Sequence, residues 1–364
     1  MKMTSADIER LRLYNQRLAG IRFEGPEAAV QWLGAVQAQD YAAAKWAVAQ
    51  RTVSGTDSDI DRALAAGTIL RTHILRPTWH FVAPEDIRWI MELTAPRVHA
   101  LNGHYYRKTG LDHAVFVKSN RALARALAGD RQLTRAELGS ILQKARITQS
   151  SDDPLRLVLL IMRAELDMVI CSGARRGRQF TYALLDERAP RTPALARDEG
   201  LAELVRRFFI SRGPATIKDF TRWSSQTVAD ARTGISMTEN QLTKVEVDGA
   251  TYWLAPDLPD MSEPPPRALL LPAYDEYLLS YKNQGDAMKG VSPEELQEVG
   301  AYAGQTILLD AKVVGIWKRS YTKETVDIMP RYFVKVTAAQ RRAVAGAIES
   351  YGEFAERPAR FQDS

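Results

Sequence analysis

Residues 36–41 read VQAQDY: two glutamines at alternate positions, Gln37 and Gln39, with Asp40 directly after. An apolar run precedes them and AAAKWAVAQR follows. Two amides and an acid in such a stretch either cap or bridge a helix end, or face a reacting ligand. An amide does not titrate, so it cannot serve as a general base. It can orient a water and stabilise developing positive charge through its carbonyl oxygen. That is enough where the leaving group is already activated. An N7-alkylated guanine is cationic, and its glycosidic bond needs no protonation to break. The protein then has only to shelter the sugar cation and aim a water. No nucleophile–base–acid triad can be assigned. Neither GxGxxG nor GxxxxGK[ST] occurs, so dinucleotide and P-loop sites have no support in the sequence.

Other polar clusters offer binding rather than chemistry. In RTHILRPTWH, strand alternation puts Arg71 and His73 on one face, and Pro77 breaks the pairing before Trp79 and His80. With Arg76 these could line an anionic pocket; alternatively Trp79 is core and His80 is satisfied by a carbonyl. The run Gly173–Arg178 places Arg175, Arg176 and Arg178 at a turn, which suits phosphate contacts or an ordinary solvated tip. Gly315–Arg319, with Lys312 before it, reads as a second basic hairpin. There Trp317 could wedge or stack at a base step beside Lys318 and Arg319, or equally sit in a core. In PAYDEYLLSY, Asp275 and Glu276 interrupt what reads as an apolar strand. Burying such acids is costly, so one is expected to meet an arginine or face a cleft.

The elements that position these groups recur. Helices are expected over 6–19, 27–37 and 59–66, followed by a hairpin in ILRTHILRPTWHFV. A second round has helices at 84–108 and 113–128, then LTRAELGSILQKA opening on a Thr134/Glu137 capping box, then 155–167 and a hairpin over MVICS and QFTYAL. A third has helix 198–211, a helix capped by Thr216 with Asp219 at N3, the helix SQTVADART, and strands around Asp248-Gly249. Helix, helix, helix, hairpin is the plan of a winged helix, whose third helix can enter a major groove. The alternative is a generic α+β protein with incidental hairpins. Residues 256–268 read as a proline-rich linker before a final α+β stretch that closes on AAQRRAVAGAIESYGEFA.

The totals agree with a two- or three-domain globular chain: 364 residues, 45% hydrophobic and 26% charged. One cysteine, Cys171, excludes a disulfide framework and a cysteine-based zinc site. The five histidines form no HExxH, so no metal is expected. No signal-peptide core and no membrane-length apolar run is present, which points to the cytoplasm and no membrane. The net charge is +5, with arginine clearly outnumbering lysine, and permits nucleic-acid binding without requiring it.

Taken together, Gln37-Ala38-Gln39 and the stretches LRTHILRPTWHFV, ICSGARRGRQFTYALLDER, RGPATIKDFTRWS, LLPAYDEYLLSYKN and AKVVGIWKR resemble the winged-helix DNA glycosylases of the AlkZ and YcaQ type. That family's motif is glutamine, an apolar residue, then glutamine or aspartate, and the likeness runs over about residues 10–335. The RPTWH stretch departs from the shorter, smaller-residue version of other members. The resemblance implies a mainly helical α+β fold of three tandem winged helix-turn-helix units with hairpin wings: 1–110 with the glutamine motif, 111–192 with the arginine-rich wing, and 193–262. A small α+β extension over 263–364 carries the basic hairpin. It implies a monofunctional DNA N-glycosylase without metal or cofactor, acting in duplex DNA on N7-alkylated purines and, in some members, interstrand crosslinks. Members with two glutamines include antibiotic self-resistance enzymes. Gln37 and Gln39 are then the catalytic pair, with Asp40 and His80 in support. Arg71, Arg76, Arg175, Arg176, Arg178, Lys312, Lys318 and Arg319 would grip DNA. A monomer in the cytoplasm, associated with the nucleoid, is expected. The competing expectation is a winged-helix DNA-binding protein or regulator without catalysis.

Overall fold

The computed structural model describes residues 3–362 other than 150, 152, 263, 266, 283, 284 and 301–303. Glu263 and Pro266 of the expected linker therefore lie outside the described residues. The protein is α+β and forms two compact units. One comprises 1–60, 201–223 and 227–364; the other comprises 61–200 and 224–226.

The first unit is discontinuous in sequence. Its opening helix, Ser5–Asn15, starts on a Thr4/Asp7 capping box and stops short of the expected residue 19, where Arg17 takes φ 59°. The helix expected over 27–37 ends at Leu33, because Gly34 turns to φ 71° and Val36–Gln37 is extended. The glutamine motif thus begins in a strand, not in a helix end. AAAKWAVA, which carries no start signal except Asp40, forms the helix Tyr41–Ala49. Farther on, Asp248 and Gly249 both take positive φ and close the hairpin of Thr243–Val247 and Ala250–Leu254. That is the conformation a two-residue hairpin turn favours.

A five-stranded sheet completes this unit, in the order Ala359–Phe361, Val326–Tyr332, Lys312–Tyr321, Thr306–Leu309, Ala268–Leu271. Its pairs are antiparallel except the one made by Ala359–Phe361. The basic hairpin expected at 315–319 is not a hairpin: Lys312–Tyr321 is a single strand. Its alternation buries Trp317, whose Nε1–H donates to the Leu271 carbonyl at 2.8 Å, and exposes Lys318. The Asp275-Glu276 pair is likewise not in a strand. Tyr274 takes φ 64°, and Asp275 caps the short helix Glu276–Leu279 by accepting from the Tyr277 N–H at 2.8 Å. The final helix, Ala338–Phe354, brings Tyr351 and Phe354 against the Trp46 ring, at centroid distances of 5.1 and 5.0 Å.

The second unit packs Ile87–Lys108, His113–Leu127, Arg135–Lys144 and Pro154–Leu166 around a core that includes Leu123, Leu127, Leu138, Leu142 and Leu160. Both bonds of the Thr134/Glu137 capping box form. Leu70–His73 pairs antiparallel with Trp79–Val82. Ile170–Ser172 and Leu133–Thr134 flank Thr181–Leu184 in a second small sheet. Among the described residues, no helix is long and apolar enough to cross a membrane.

Candidate active site

Gln37 ends the two-residue strand and is 6% exposed, whereas Gln39 and Asp40 are exposed. Asp40 also shapes the backbone. Its carboxylate accepts from the Ala43 N–H at 3.0 Å and caps helix Tyr41–Ala49.

The backbone leading to Gln37 is held by two side chains from elsewhere in this unit. Glu276 Oε1 accepts from the Gln37 N–H at 3.0 Å. Glu276 Oε2 accepts from Arg212 Nη2 at 2.9 Å and from the Ser280 hydroxyl at 2.8 Å. Arg212 also donates to the carbonyls of Leu33, at 2.7 Å, and Ala35, at 3.0 Å. Both side chains are fully buried. Burial pulls the Arg212 guanidinium below an ordinary arginine, against the opposing pull of Glu276. Arg212 ends its helix at Gly213, where a Cβ would stand 2.3 Å from the Phe209 carbonyl oxygen and 2.7 Å from Leu254 Cα.

Next to Glu276, Asp275 makes a second buried pair. Its two oxygens accept from Arg51 at 2.9 and 3.0 Å, and Arg51 also donates to Gln16 at 3.0 Å. The expectation that one of these acids meets an arginine is met by both. Asp-Glu in an apolar run was the signal for them; nothing local in the sequence marked Arg212 or Arg51 as their partners. A cavity of about 590 Å³ in the same unit is lined by residues that include Trp46, Gln50, Leu269, Gly346 and Phe354. Neither glutamine lines it, so it is not where this motif would act.

In the second unit, the expected cationic residues fall into two groups. Arg71 is 7% exposed, with its guanidinium 4.5 Å from the Trp79 ring and 4.4 Å from the Phe180 ring. Arg175 approaches the same Phe180 ring at 5.2 Å. The His73 ring lies 4.2 Å from that of Trp79, tilted by 42°, and bonds Glu165, so Arg71 and His73 do share a face. His80 is buried: its Nδ1 lies 2.9 Å from the Thr78 carbonyl and its Nε2 3.2 Å from Arg76 Nη2. That geometry puts the ring proton on Nδ1 and lets Nε2 accept from Arg76. Arg71, Arg76 and His80 are thus built into the hairpin.

The arginine-rich turn differs. Arg176 and Gln179 exchange backbone bonds at 3.0 and 3.1 Å around Gly177, whose φ is 60°. This leaves Arg178 at an exposed two-residue tip. Arg176 is exposed but engaged, donating to Glu137 at 2.9 Å and to the Gln132 carbonyl at 2.8 Å. The Glu137 carboxyl is held down to about 2, first by the Thr134 N–H and then by Arg176. In the first unit, Lys312 and Lys318 are exposed, and Arg319 lies 5.8 Å from the Trp317 ring.

Three comparisons bear on what this arrangement does. A family model described as DNA glycosylase AlkZ-like matches residues 30–354. A curated relative, an interstrand DNA cross-link repair glycosylase of Streptomyces sahachiroi, is 26% identical over 300 residues, covering 78% of this chain and 79% of the relative. The solved structure of the Streptomyces sahachiroi DNA glycosylase AlkZ covers 100% of both chains with a TM-score of 0.78 and 22% identity, a likeness of fold.

Proposed function

Because the chain belongs to the AlkZ-like DNA glycosylase family, and so is a DNA N-glycosylase, we propose that it hydrolyses the N-glycosidic bond of N7-alkylated purines in duplex DNA. We extend this to unhooking interstrand crosslinks, on the strength of the relative named for cross-link repair. The observation that carries the reading is the Gln37-Ala38-Gln39 segment. Its first amide is packed on a moored strand, and its second is exposed at the mouth of the following helix.

The amide carbonyls stabilise positive charge that develops on the sugar, and the amides orient the attacking water. The bond from C1′ to the purine nitrogen breaks, and its electron pair neutralises the cationic base. Water oxygen bonds to C1′ and its proton passes to solvent. The products are a free alkylpurine and an abasic site, and no side chain need be a strong acid or base. Bulky crosslinked lesions favour an open site over a closed base-flipping pocket.

Three successive rounds of helices and a hairpin support three winged-helix units over 1–110, 111–192 and 193–262, with an extension over 263–364. The exposed Arg178, Lys312 and Lys318 are suited to phosphate contacts. Arg71, Arg76 and Arg175 would act through the shape of the hairpins they brace. The protein would bind duplex DNA as a monomer.

The test is base release from duplexes carrying N7-methylguanine or a nitrogen-mustard crosslink. Wild type should release base, and Gln37→Ala and Gln39→Ala should each be slower by roughly a hundredfold, with DNA affinity kept. Wild-type rates in both variants would remove the glutamines from the mechanism. Release from the monoadduct alone would confine the activity to N7-alkylpurines.

A further inference from the structure

We propose that Glu276 and Arg212 are positioning residues for Gln37, setting the catalytic amide through its backbone. The proposal rests on the reading of Gln37 as a catalytic amide. One ion pair bonds three backbone groups in succession: the carbonyls of Leu33 and Ala35 and the N–H of Gln37. In an extended chain the carbonyl of one residue and the N–H of the second residue after it lie along the same edge. At Ala35 and Gln37 that edge meets a guanidinium and a carboxylate, a side-chain substitute for a neighbouring strand. Asp275, the preceding residue, grips Arg51 just beyond helix Tyr41–Ala49. Two adjacent acids thus hold the segment 33–51 at both ends, with Gln37 and Gln39 between.

A purely structural account fits less well. Buried ion pairs are frequently no more stabilising than apolar residues of the same volume. What this pair supplies, and apolar packing could not, is a set of hydrogen bonds to the backbone that carries Gln37. Catalysis is sensitive to such placement, since an error of about 1 Å in a reacting group costs roughly a hundredfold in rate.

The test is a double-mutant cycle between Glu276→Gln and Gln37→Ala in the full chain. Single-turnover release of N7-methylguanine is read with enzyme in excess, beside DNA affinity by fluorescence anisotropy. Glutamine replaces one of the two accepting oxygens with an NH2 donor, which then faces the donor of Arg212 or of Gln37, so E276Q should slow release by roughly ten- to a hundredfold while leaving DNA affinity within about twofold. The double variant should be no slower than Q37A, because the same amide is lost in both. Exchange of the Gln37 amide hydrogen should speed up in E276Q, while that of Ala43, held by Asp40, stays as in wild type.

Should E276Q fail to fold, Arg212→Lys carries the same cycle. It keeps the charge but cannot reach Glu276 and both carbonyls at once. A wild-type rate in the folded variant, or a loss that multiplies with that of Q37A, overturns the proposal. A wild-type rate in Q37A removes the parent reading instead, and since that appears in a different protein of the set, the two failures are told apart.

Discussion

At the scale of the residue, the question is what each polar group of VQAQDY is for. Gln37 and Gln39 have the burial and exposure that a positioned amide and a solvent-facing amide would need. Asp40 has a competing role as the cap of Tyr41–Ala49. Two substitutions separate charge from capping. Asn caps a helix about as well as Asp, whereas Ala loses the bond. If capping is the whole role, Asp40→Asn matches wild type in melting temperature and in base release. Asp40→Ala then loses about 1 kcal/mol of stability and little rate. A rate loss in Asp40→Asn at unchanged melting temperature would give the carboxylate a part in stabilising the sugar cation. Calorimetry and a single-turnover assay on three proteins decide it.

At the scale of the element, the arginine-rich turn is not uniformly available to DNA. Arg178 stands at the tip, while Arg176 is tied to Glu137 and Gln132. Each phosphate contact adds about 0.9 to the slope of log affinity against log salt. Arg178→Ala should therefore flatten the slope by about one unit. Arg176→Ala should change it less and disturb the Thr134/Glu137 cap instead. The Glu137 carboxyl is lowered to about 2 in the fold. Its contribution is complete above the unfolded value near 4.5 and is lost as pH falls from there towards 2. Glu137→Gln should accordingly narrow the stability gap to wild type as pH falls through that window, read by thermal melts at stepped pH.

The same elements show what the sequence made legible. Capping boxes at Thr134 and Thr216, the Asp248-Gly249 turn and the hairpin of 70–82 follow from local chemistry, and they stand where it puts them. Helix Tyr41–Ala49 was hidden, because an alanine-rich stretch shows no polar face to mark its period. The strand at Val36–Gln37 is held by side chains far away in the chain, which no local window contains, whereas the Trp317 strand pairs with its sequence neighbours Thr306–Leu309 and Val326–Tyr332. Arg212 looks like any helix-terminal arginine until Glu276, 64 residues later, is beside it.

At the scale of the whole molecule, the first unit is built from residues on both sides of the second in sequence. The first 60 residues bond one another at a few points, Phe23 with Arg51 and Val53 and Trp32 with Asn15, and take much of their remaining anchorage from elsewhere in the chain. Arg51 and Gln16 bond Asp275 and Tyr281, Trp46 packs on Tyr351, and Leu33–Gln37 is held by Arg212 and Glu276. All of these partners lie beyond residue 200. The second unit has its own core and contains both of its small hairpins' strand pairs. Long-range closure of this kind is slow, because loop entropy is lost before the contacts that offset it form. A fragment of residues 61–200 should therefore melt cooperatively by circular dichroism. A fragment of residues 1–200 should add little helix to it, with amides 5–60 exchanging freely in hydrogen-exchange mass spectrometry. Protection over residues 26–50 in that fragment would mean that the glutamine segment orders itself without the Asp275-Glu276 pair. Protection that appears only on adding residues 201–364 in trans would place the assembly of the active site at the last stage of folding.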